Sequence, residues 1–397
     1  MAGDWRGRTS MKRFIPTILI IVGSCAVAAD QGLYDDRVVI GQISDLSGAT
    51  VVWGVPTTNA TRMRLDEVNA AGGVHGRQIE LIVEDGQYQV PVSVKAANKL
   101  LNRDRVFAML GNIGTPANHA IMPRQLRMGV PNLFPVTAAV GMYEPLHPMK
   151  FSYYVSYRDQ IRGAVHYMTE KMSATKVCMQ TQATDYGHES ELGYETAVEA
   201  LGVESVFLGR HKVTEVDFVG TATRIKNSGC EILFIGTIVN DTIQLVTAVR
   251  NAGVEIPIMG NMVVLHPLIA SAADGGMEGL YSASPIVLAD FSEDSDEGQW
   301  RRDWAASYQE RFDEEPNIQA QVGYVMTELM IKAMEAAGRD LTVEKMLVEL
   351  EKIRNYEDPF GGPTLSFGPE KHQASDSLYL SQVVDSQWTV VEINLPY

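Results

Sequence analysis

Thr115 and Pro116 stand where an apolar run hands over to a helical pattern, in Val106–Arg124, VFAMLGNIGTPANHAIMPR. Val106–Gly111 has the length and apolarity of a buried strand, and Gly111 and Gly114 mark the turn after it. Thr115-Pro116 reads as an N-cap and first helical position, with a helix continuing through Ala117, Ile121 and Met122. A fresh helix N-terminus offers unpaired N–H groups and a partial positive charge at one point, which suits an anion. The stretch holds donors and a dipole but no acid, base or nucleophile, so its chemistry is binding. Taken alone it is equally an ordinary strand-to-helix turn, and Thr115 is a good cap in either case.

The elements around it repeat the same grammar. Val38–Ser44 reads as a buried strand, Thr57–Ala71 as a helix stopped by Gly72-Gly73, Gln78–Val83 as a strand and Val92–Leu101 as a helix. Pro131–Val136 supplies a fourth strand. A second set follows, with strands at Lys176–Thr181, Val203–Leu208, Ile232–Ile235 and Ile256–Met259. Helices Ile161–Met172, Glu191–Leu201, Phe218–Asn227 and Thr242–Ala252 alternate with them. Later helices at Trp300–Phe312, Gln321–Ala337 and Val343–Ile353 precede short closing strands at Tyr379–Val383 and Trp388–Glu392. The expected class is α/β, with two similar doubly wound parallel-sheet lobes and no residue-level repeat between them. Ligands in such sheets sit beyond the carboxyl ends of the strands. The loops to watch are therefore Ser44–Gly48, Gly111–Thr115, Val136–Ala139, Ala183–Gly187, Gly236–Asp241 and Gly260–Met262. Half fall in each lobe, which suggests a cleft between them.

The chain has 397 residues, more than one compact core holds, with 45% hydrophobic and 21% charged residues. A net charge of −16 argues against nucleic acid or an anionic membrane surface as partner. Met11-Lys12-Arg13, the apolar run Ile15–Val22 and Ala26-Val27-Ala28 read as a secretory signal peptide covering residues 1–29. Val22-Gly23-Ser24-Cys25 also resembles a lipobox, with Cys25 lipidated; the preferred reading makes Cys25 a small residue late in the apolar run. Cys178 and Cys230 could pair in an oxidising compartment or stay as buried free thiols. The acidic run Ser292–Glu297 reads as a solvated loop. The eight histidines are scattered without metal-ligand spacing. No nucleophile elbow, Walker A pattern, H-E-x-x-H or full G-x-G-x-x-G occurs. Neither a metal nor a cofactor is expected, and an enzyme is the weaker class.

These pieces together resemble the leucine/isoleucine/valine-binding protein family, solute-binding components of ATP-driven (ABC) importers with a type I periplasmic-binding fold. The resemblance is carried by Ile40-Gly41 with Leu46-Ser47-Gly48, by Glu67–Arg77 (EVNAAGGVHGR), by Val83-Glu84-Asp85 and by Gly114-Thr115-Pro116. Asp185-Tyr186-Gly187 and Ala248–Val254 (AVRNAGV) complete it, over about residues 37–395. Gly114-Thr115-Pro116, Val130–Phe134 and Thr137-Ala138 look closer to members that bind carboxylated non-amino-acid compounds. The family implies three crossovers, near Ser156, Ser284 and Pro363, giving an N-terminal lobe of 30–155 and 285–362 and a C-terminal lobe of 156–284 and 363–397. It also implies hinge closure on a ligand, a periplasmic location, a monomer, and a membrane permease as partner.

Carried over residue by residue, the family's aromatic wall falls on Trp53 and its carboxylate-binding hydroxyl near Thr115. Val136-Thr137-Ala138 matches the strand-end loop that grips the ligand, with the hydroxyl at Thr137 where the family has it at the position of Ala138. Tyr186 matches the tyrosine of the second lobe that closes over the ligand. Asn112, Gly114 and Asn261 are further candidate contacts. Two positions depart from the pattern: Ile238 stands for a second tyrosine, and Met262 for the acid that holds an amino acid's ammonium. Without that acid a buried ammonium is poorly paired, which favours a carboxylate with an apolar body and no α-amino group. Each position also has a plain structural reading: Trp53 packing on its helix, Tyr186 as a turn aromatic, Thr137 as a strand-end residue, the asparagines as loop formers. A ligand-sensing module that hands its signal to a partner is the alternative use of the same fold.

Overall fold

A computed structural model describes residues 1–3, 7 and 30–397. The apolar run and cleavage motif of the expected signal peptide, and Cys25, lie outside the described residues. The first set of elements is β1 (Arg37–Ser44), α1 (Val51–Ala70), β2 (Gln78–Asp85), α2 (Val90–Lys99), β3 (Ala108–Leu110), α3 (Thr115–Arg127), β4 (Asn132–Leu133) and β5 (Lys150–Phe151). The strands form one sheet in the order β2-β1-β3-β4-β5, with every neighbouring pair parallel. β1 is buried from Val38 to Ser44, as its near-continuous apolar sequence requires of a parallel strand covered on both faces.

The chain then builds a second sheet through α4 (Tyr157–Met172), β6 (Lys176–Gln182), α5 (Asp185–Leu201), β7 (Glu204–His211) and α6 (Val219–Ser228). β8 (Ile232–Gly236), α7 (Val239–Asn251), β9 (Ile258–Asn261), the short α8 (Pro267–Ala270) and β10 (Leu280–Ser284) follow. Three helices, α9 (Asp296–Phe312), α10 (Ile318–Ala337) and α11 (Val343–Leu350), come next. α10 is buried along nearly its whole length against α1, where Arg64 Nε meets Glu328 at 2.7 Å and the Tyr324 hydroxyl donates to Glu67 at 2.8 Å. The closing strands β11 (Tyr379–Val384) and β12 (Gln387–Glu392) add an antiparallel hairpin to β10. The second sheet therefore runs β12-β11-β10-β9-β8-β6-β7. Two lobes built on parallel strands are present: the first sheet has five strands where four were expected, and the second adds β10 to the four expected strands and the two closing ones.

Two expectations need correction, and one open alternative is decided. The run Ser292–Glu297 is not all loop: the Ser295 side chain caps α9 by accepting from Gly298 N, and Asp296 and Glu297 sit in that helix's first turn, where its dipole favours acids. Cys178 and Cys230 are bonded to each other, because β6 and the turn into β8 lie side by side. Finally, the helices facing the site begin earlier than their apolar periodicity indicates: α1 at Val51, α4 at Tyr157, α5 at Asp185 and α7 at Val239.

Candidate functional site

Those early helix starts build the site. The buried Asp45 carboxylate accepts from Gly48 N at 2.5 Å, Thr50 N at 2.7 Å and the Thr50 hydroxyl at 2.7 Å. Asp45 thus ties together the turn that leads into α1, which opens at Val51 with Trp53 in its first turn. Gly54 is required here: a Cβ would lie 2.1 Å from the Asp45 carbonyl oxygen.

At α3 the residue in the capping position is Gly114, at φ +94°, and Thr115 is the first helical residue, not the cap. A Cβ on Gly114 would stand 3.0 Å from a Tyr88 ring carbon, so only glycine lets that ring rest on the turn. Released from capping, the Thr115 hydroxyl lies 2.6 Å from the Thr137 hydroxyl. The N–H of Thr115 finds no acceptor among the described residues. Tyr88 is held over this point by two consecutive left-handed residues, Gln87 at φ 53° and Tyr88 at φ 51°, a conformation that costs free energy in non-glycine residues.

From the second sheet, Tyr157 opens α4, Tyr186 is the second residue of α5, and Ile238 is the N-cap of α7. The Tyr157 and Tyr186 rings meet edge to face at 4.9 Å and 75°. The Tyr186 hydroxyl lies 3.0 Å from the Thr237 carbonyl oxygen and 3.1 Å from Asn261 Oδ1. Burial holds its pKa well above the usual phenol range. Burial likewise pushes Tyr157 up to about 12, against the pull of the Ala138 backbone and the Thr137 hydroxyl. Both phenols are neutral donors at any physiological pH.

Five helix N-termini thus converge on a partly open cavity between the two sheets. Its aromatic walls are Trp53, Tyr88, Tyr157 and Tyr186, and its aliphatic ones Ile113, Val136, Ile238 and Val263. Thr50, Gly114 and Thr115 complete it. It lies beyond β1 and β3 of one sheet and β6 and β8 of the other, in each case where the strand order reverses. About 30 Å³ is open to the centre of a water-sized sphere.

The structure brings together Trp53, Gly114, Thr115, Val136, Tyr186 and Ile238 of the expected contacts. Thr137 stands one hydrogen bond behind Thr115, and the Ala138 carbonyl accepts from Tyr157 N at 2.9 Å. Asn112, Asn261 and Met262 do not line the cavity, a correction with a common cause: their polar groups are used inside their own lobes. Asn112 Oδ1 accepts from Ile43 N at 2.9 Å. Asn261 serves Tyr186, Val263 N and Ser190. Met262 is buried with its N–H donating to Gln160 Oε1 at 2.9 Å.

Thr50, Tyr88, Ile113, Tyr157 and Val263 escape sequence reasoning. Tyr157 had a signal: Ser156 and Asp159 form a reciprocal cap, with Asp159 N donating to Ser156 Oγ at 3.0 Å and Ser156 Oγ to Asp159 Oδ2 at 2.6 Å. Side chains from the two sets of elements also meet at the rim. His119 Nδ1 of α3 donates to Asp185 Oδ2 of α5 at 2.9 Å, and His266 Nε2 lies 3.4 Å from the Val52 carbonyl oxygen. Among the described residues no cluster of His, Cys, Asp or Glu could hold a metal ion, and no helix is long and apolar enough to cross a membrane.

Comparison with known proteins gives the same picture. The periplasmic binding protein family profile matches residues 37–387. An amino acid binding protein of Pseudomonas aeruginosa is 24% identical over 288 residues, covering 71% of this chain and 76% of that one. A leucine-specific-binding protein of Salmonella typhimurium is 22% identical over 280 residues, covering 69% and 74%. Among solved structures, a fatty acid ABC transporter substrate-binding protein from Thermomonospora curvata superposes with a TM-score of 0.82 at 22% identity, over 93% of this chain and 94% of that one. An ABC transporter solute-binding protein from R. palustris in complex with benzoate gives 0.78 at 17% identity, over 91% and 97%. The match spans both sheets and the cavity between them, and the chain belongs to the periplasmic binding protein family, with the type I fold of the leucine/isoleucine/valine-binding proteins.

Proposed function

We propose that this chain is the extracytoplasmic solute-binding component of an ABC importer, clamping one small carboxylate between its lobes. The observation that carries the reading is Thr115: a free helix N–H and a hydroxyl released from capping, at the mouth of α3 and on the wall of the cavity between the sheets. The carboxylate sits there, and a compact body fills the space among Trp53, Val136, Tyr186 and Ile238. Ile238 brings no hydrogen-bond acceptor to that space and Met262 is sequestered, so a primary ammonium is unwelcome. The named relatives bracket this choice, one being leucine-specific and another solved with benzoate.

In this reading the lobes comprise residues 30–155 with 285–362 and 156–284 with 363–397, joined by crossovers near Ser156, Ser284 and Pro363. Ligand closes the hinge, and the closed monomer is read by a membrane permease. The signal peptide delivers it to the periplasm. A thermal-shift screen of the mature chain tests the ligand class, since a ligand at a hundred times its Kd adds about 2.7 kcal/mol of stability. Benzoate and branched aliphatic carboxylates are expected to raise Tm. Strong stabilisation by leucine or valine with none from their des-amino analogues contradicts the proposal.

A further inference from the structure

The second sheet's side of the cavity consists of Tyr157, Tyr186, Ile238 and Val263. Ile238 and Val263 are apolar. The Tyr186 hydroxyl is committed within its own set of elements, 3.0 Å from the Thr237 carbonyl oxygen and 3.1 Å from Asn261 Oδ1. That leaves the Tyr157 hydroxyl, which makes no hydrogen bond to a carbonyl or carboxylate among the described residues and has the Ala138 backbone and the Thr137 hydroxyl as neighbours. Tyr157 N, one of the four donors that the start of α4 leaves over, donates to the Ala138 carbonyl at 2.9 Å. The Ser156–Asp159 cap holds the same turn, and the Tyr186 ring meets the Tyr157 ring edge to face. Thr137, next to Ala138 in the chain, is hydrogen-bonded to Thr115. Tyr157 therefore stands at the Thr115 end of the cavity and reaches it from the other set of elements.

We infer that the Tyr157 hydroxyl is the second sheet's donor to the ligand carboxylate, so that the charged group itself joins the two sides of the cavity. This rests on the carboxylate reading above and deepens it. No lysine, arginine or histidine lines the cavity, so a carboxylate there, with about four lone-pair sites, is met by N–H and O–H donors alone. On the first sheet's side Thr115 brings an N–H and a hydroxyl, while the Thr50 hydroxyl is engaged by Asp45 at 2.7 Å. Two donors leave a buried carboxylate underbonded, which is costly, and a neutral phenol supplies a third. Tyr157 directly follows the crossover near Ser156. In the proposed hinge mechanism its bond to the carboxylate therefore forms as the lobes close, and it slows release more than it speeds capture.

Calorimetric titration of the mature chain with benzoate and benzamide, on wild type and Tyr157→Phe, isolates the bond. The variant is expected to bind benzoate about tenfold more weakly, the worth of one hydrogen bond to a charged group, and benzamide no more than about threefold more weakly. Equal losses for acid and amide assign Tyr157 to packing and overturn the inference, as does unchanged benzoate affinity. Both outcomes leave the carboxylate reading standing wherever the wild type prefers acid to amide. Should Tyr157→Phe not fold, ultraviolet difference spectra of the wild type and of Tyr88→Phe, with isovalerate and with isovaleramide, decide the question. A tyrosine band shifted to the red by the acid and not by the amide is expected in both proteins, and its absence from either overturns the inference. Equal binding of acid and amide by the wild type overturns the carboxylate reading, and this inference with it.

Discussion

The hydroxyls of Thr115 and Thr137 lie 2.6 Å apart, joining the first turn of α3 to the loop after β4. Two hydroxyls carry two hydrogens and their bond uses one of them; with Thr137 as its donor, the arrangement the proposed clamp requires, the Thr115 hydrogen is free for a ligand oxygen beside the Thr115 N–H. In the proposed clamp Thr137 fixes the Thr115 rotamer and Thr115 makes the contact.

Thr115→Val should accordingly lower affinity for a carboxylate ligand by about ten- to a hundredfold, the worth of a hydrogen bond to a charged group. Thr137→Val should cost only a fewfold, because it acts through its neighbour. Calorimetry on both variants checks this, and equal losses would contradict the division of roles. Neither change should shift ligand-free stability by more than about 1 kcal/mol.

The His119–Asp185 bond joins α3 to α5 across the cavity rim, so in the proposed hinge mechanism it belongs to the closed arrangement. With side chains 33% and 54% exposed, it is worth no more than about 1 kcal/mol. His119→Gln should raise the ligand off-rate up to about fivefold in stopped-flow displacement, with the ligand-free melting temperature unchanged. A slower on-rate with an unchanged off-rate would place the pair outside the closure step.

The Cys178–Cys230 bond ties β6 to the turn before β8 across a sequence separation of 52 residues. Replacing both with serine should lower stability by roughly 2–4 kcal/mol. The loss should appear in chemical denaturation, with ligand affinity nearly unchanged, because neither residue lines the cavity. A tenfold loss of affinity would couple this bond to the site.

Asp358 accepts from Phe360 N at 2.9 Å and from the Tyr153 hydroxyl at 3.2 Å, and burial raises its pKa from 3.8 to about 6. The folded state therefore holds a proton that the unfolded state has lost between about pH 4 and 6, so this group weakens the fold as pH rises through that window. Discounted for its residual exposure, the effect is on the order of 1–2 kcal/mol. Asp358→Asn should match the wild type near pH 4 and exceed it by about that amount at pH 8. A pH-independent difference in melting would assign another cause.

The sheets were largely legible in the sequence because parallel strands buried on both faces are continuous apolar runs, as in Val38–Ser44 and Ile232–Ile235. The helix starts were not, and the reason lies in the cavity. Trp53, Tyr157 and Tyr186 occupy first helical turns that face the ligand cavity, so they break the periodicity set by the core. Pro56 compounded this in α1, where it lies inside the helix and not at its first position. Tyr88 was invisible because its place depends on left-handed backbone at Gln87 and Tyr88, which no residue type there announces. Asn112, Asn261 and Met262 were rightly placed at strand ends, but a strand-end residue can turn inward to brace its own lobe. The two departures at Ile238 and Met262, legible from the start, still bear most directly on what the cavity accepts.

The most direct test of the central claim is calorimetric titration of the mature protein with benzoate and with benzamide, on wild type and Thr115→Val. The account predicts one site per chain for benzoate, at least tenfold weaker binding of benzamide, and loss of that discrimination in Thr115→Val. Equal binding of acid and amide by the wild type, or discrimination that survives Thr115→Val, would contradict a carboxylate clamp built on α3.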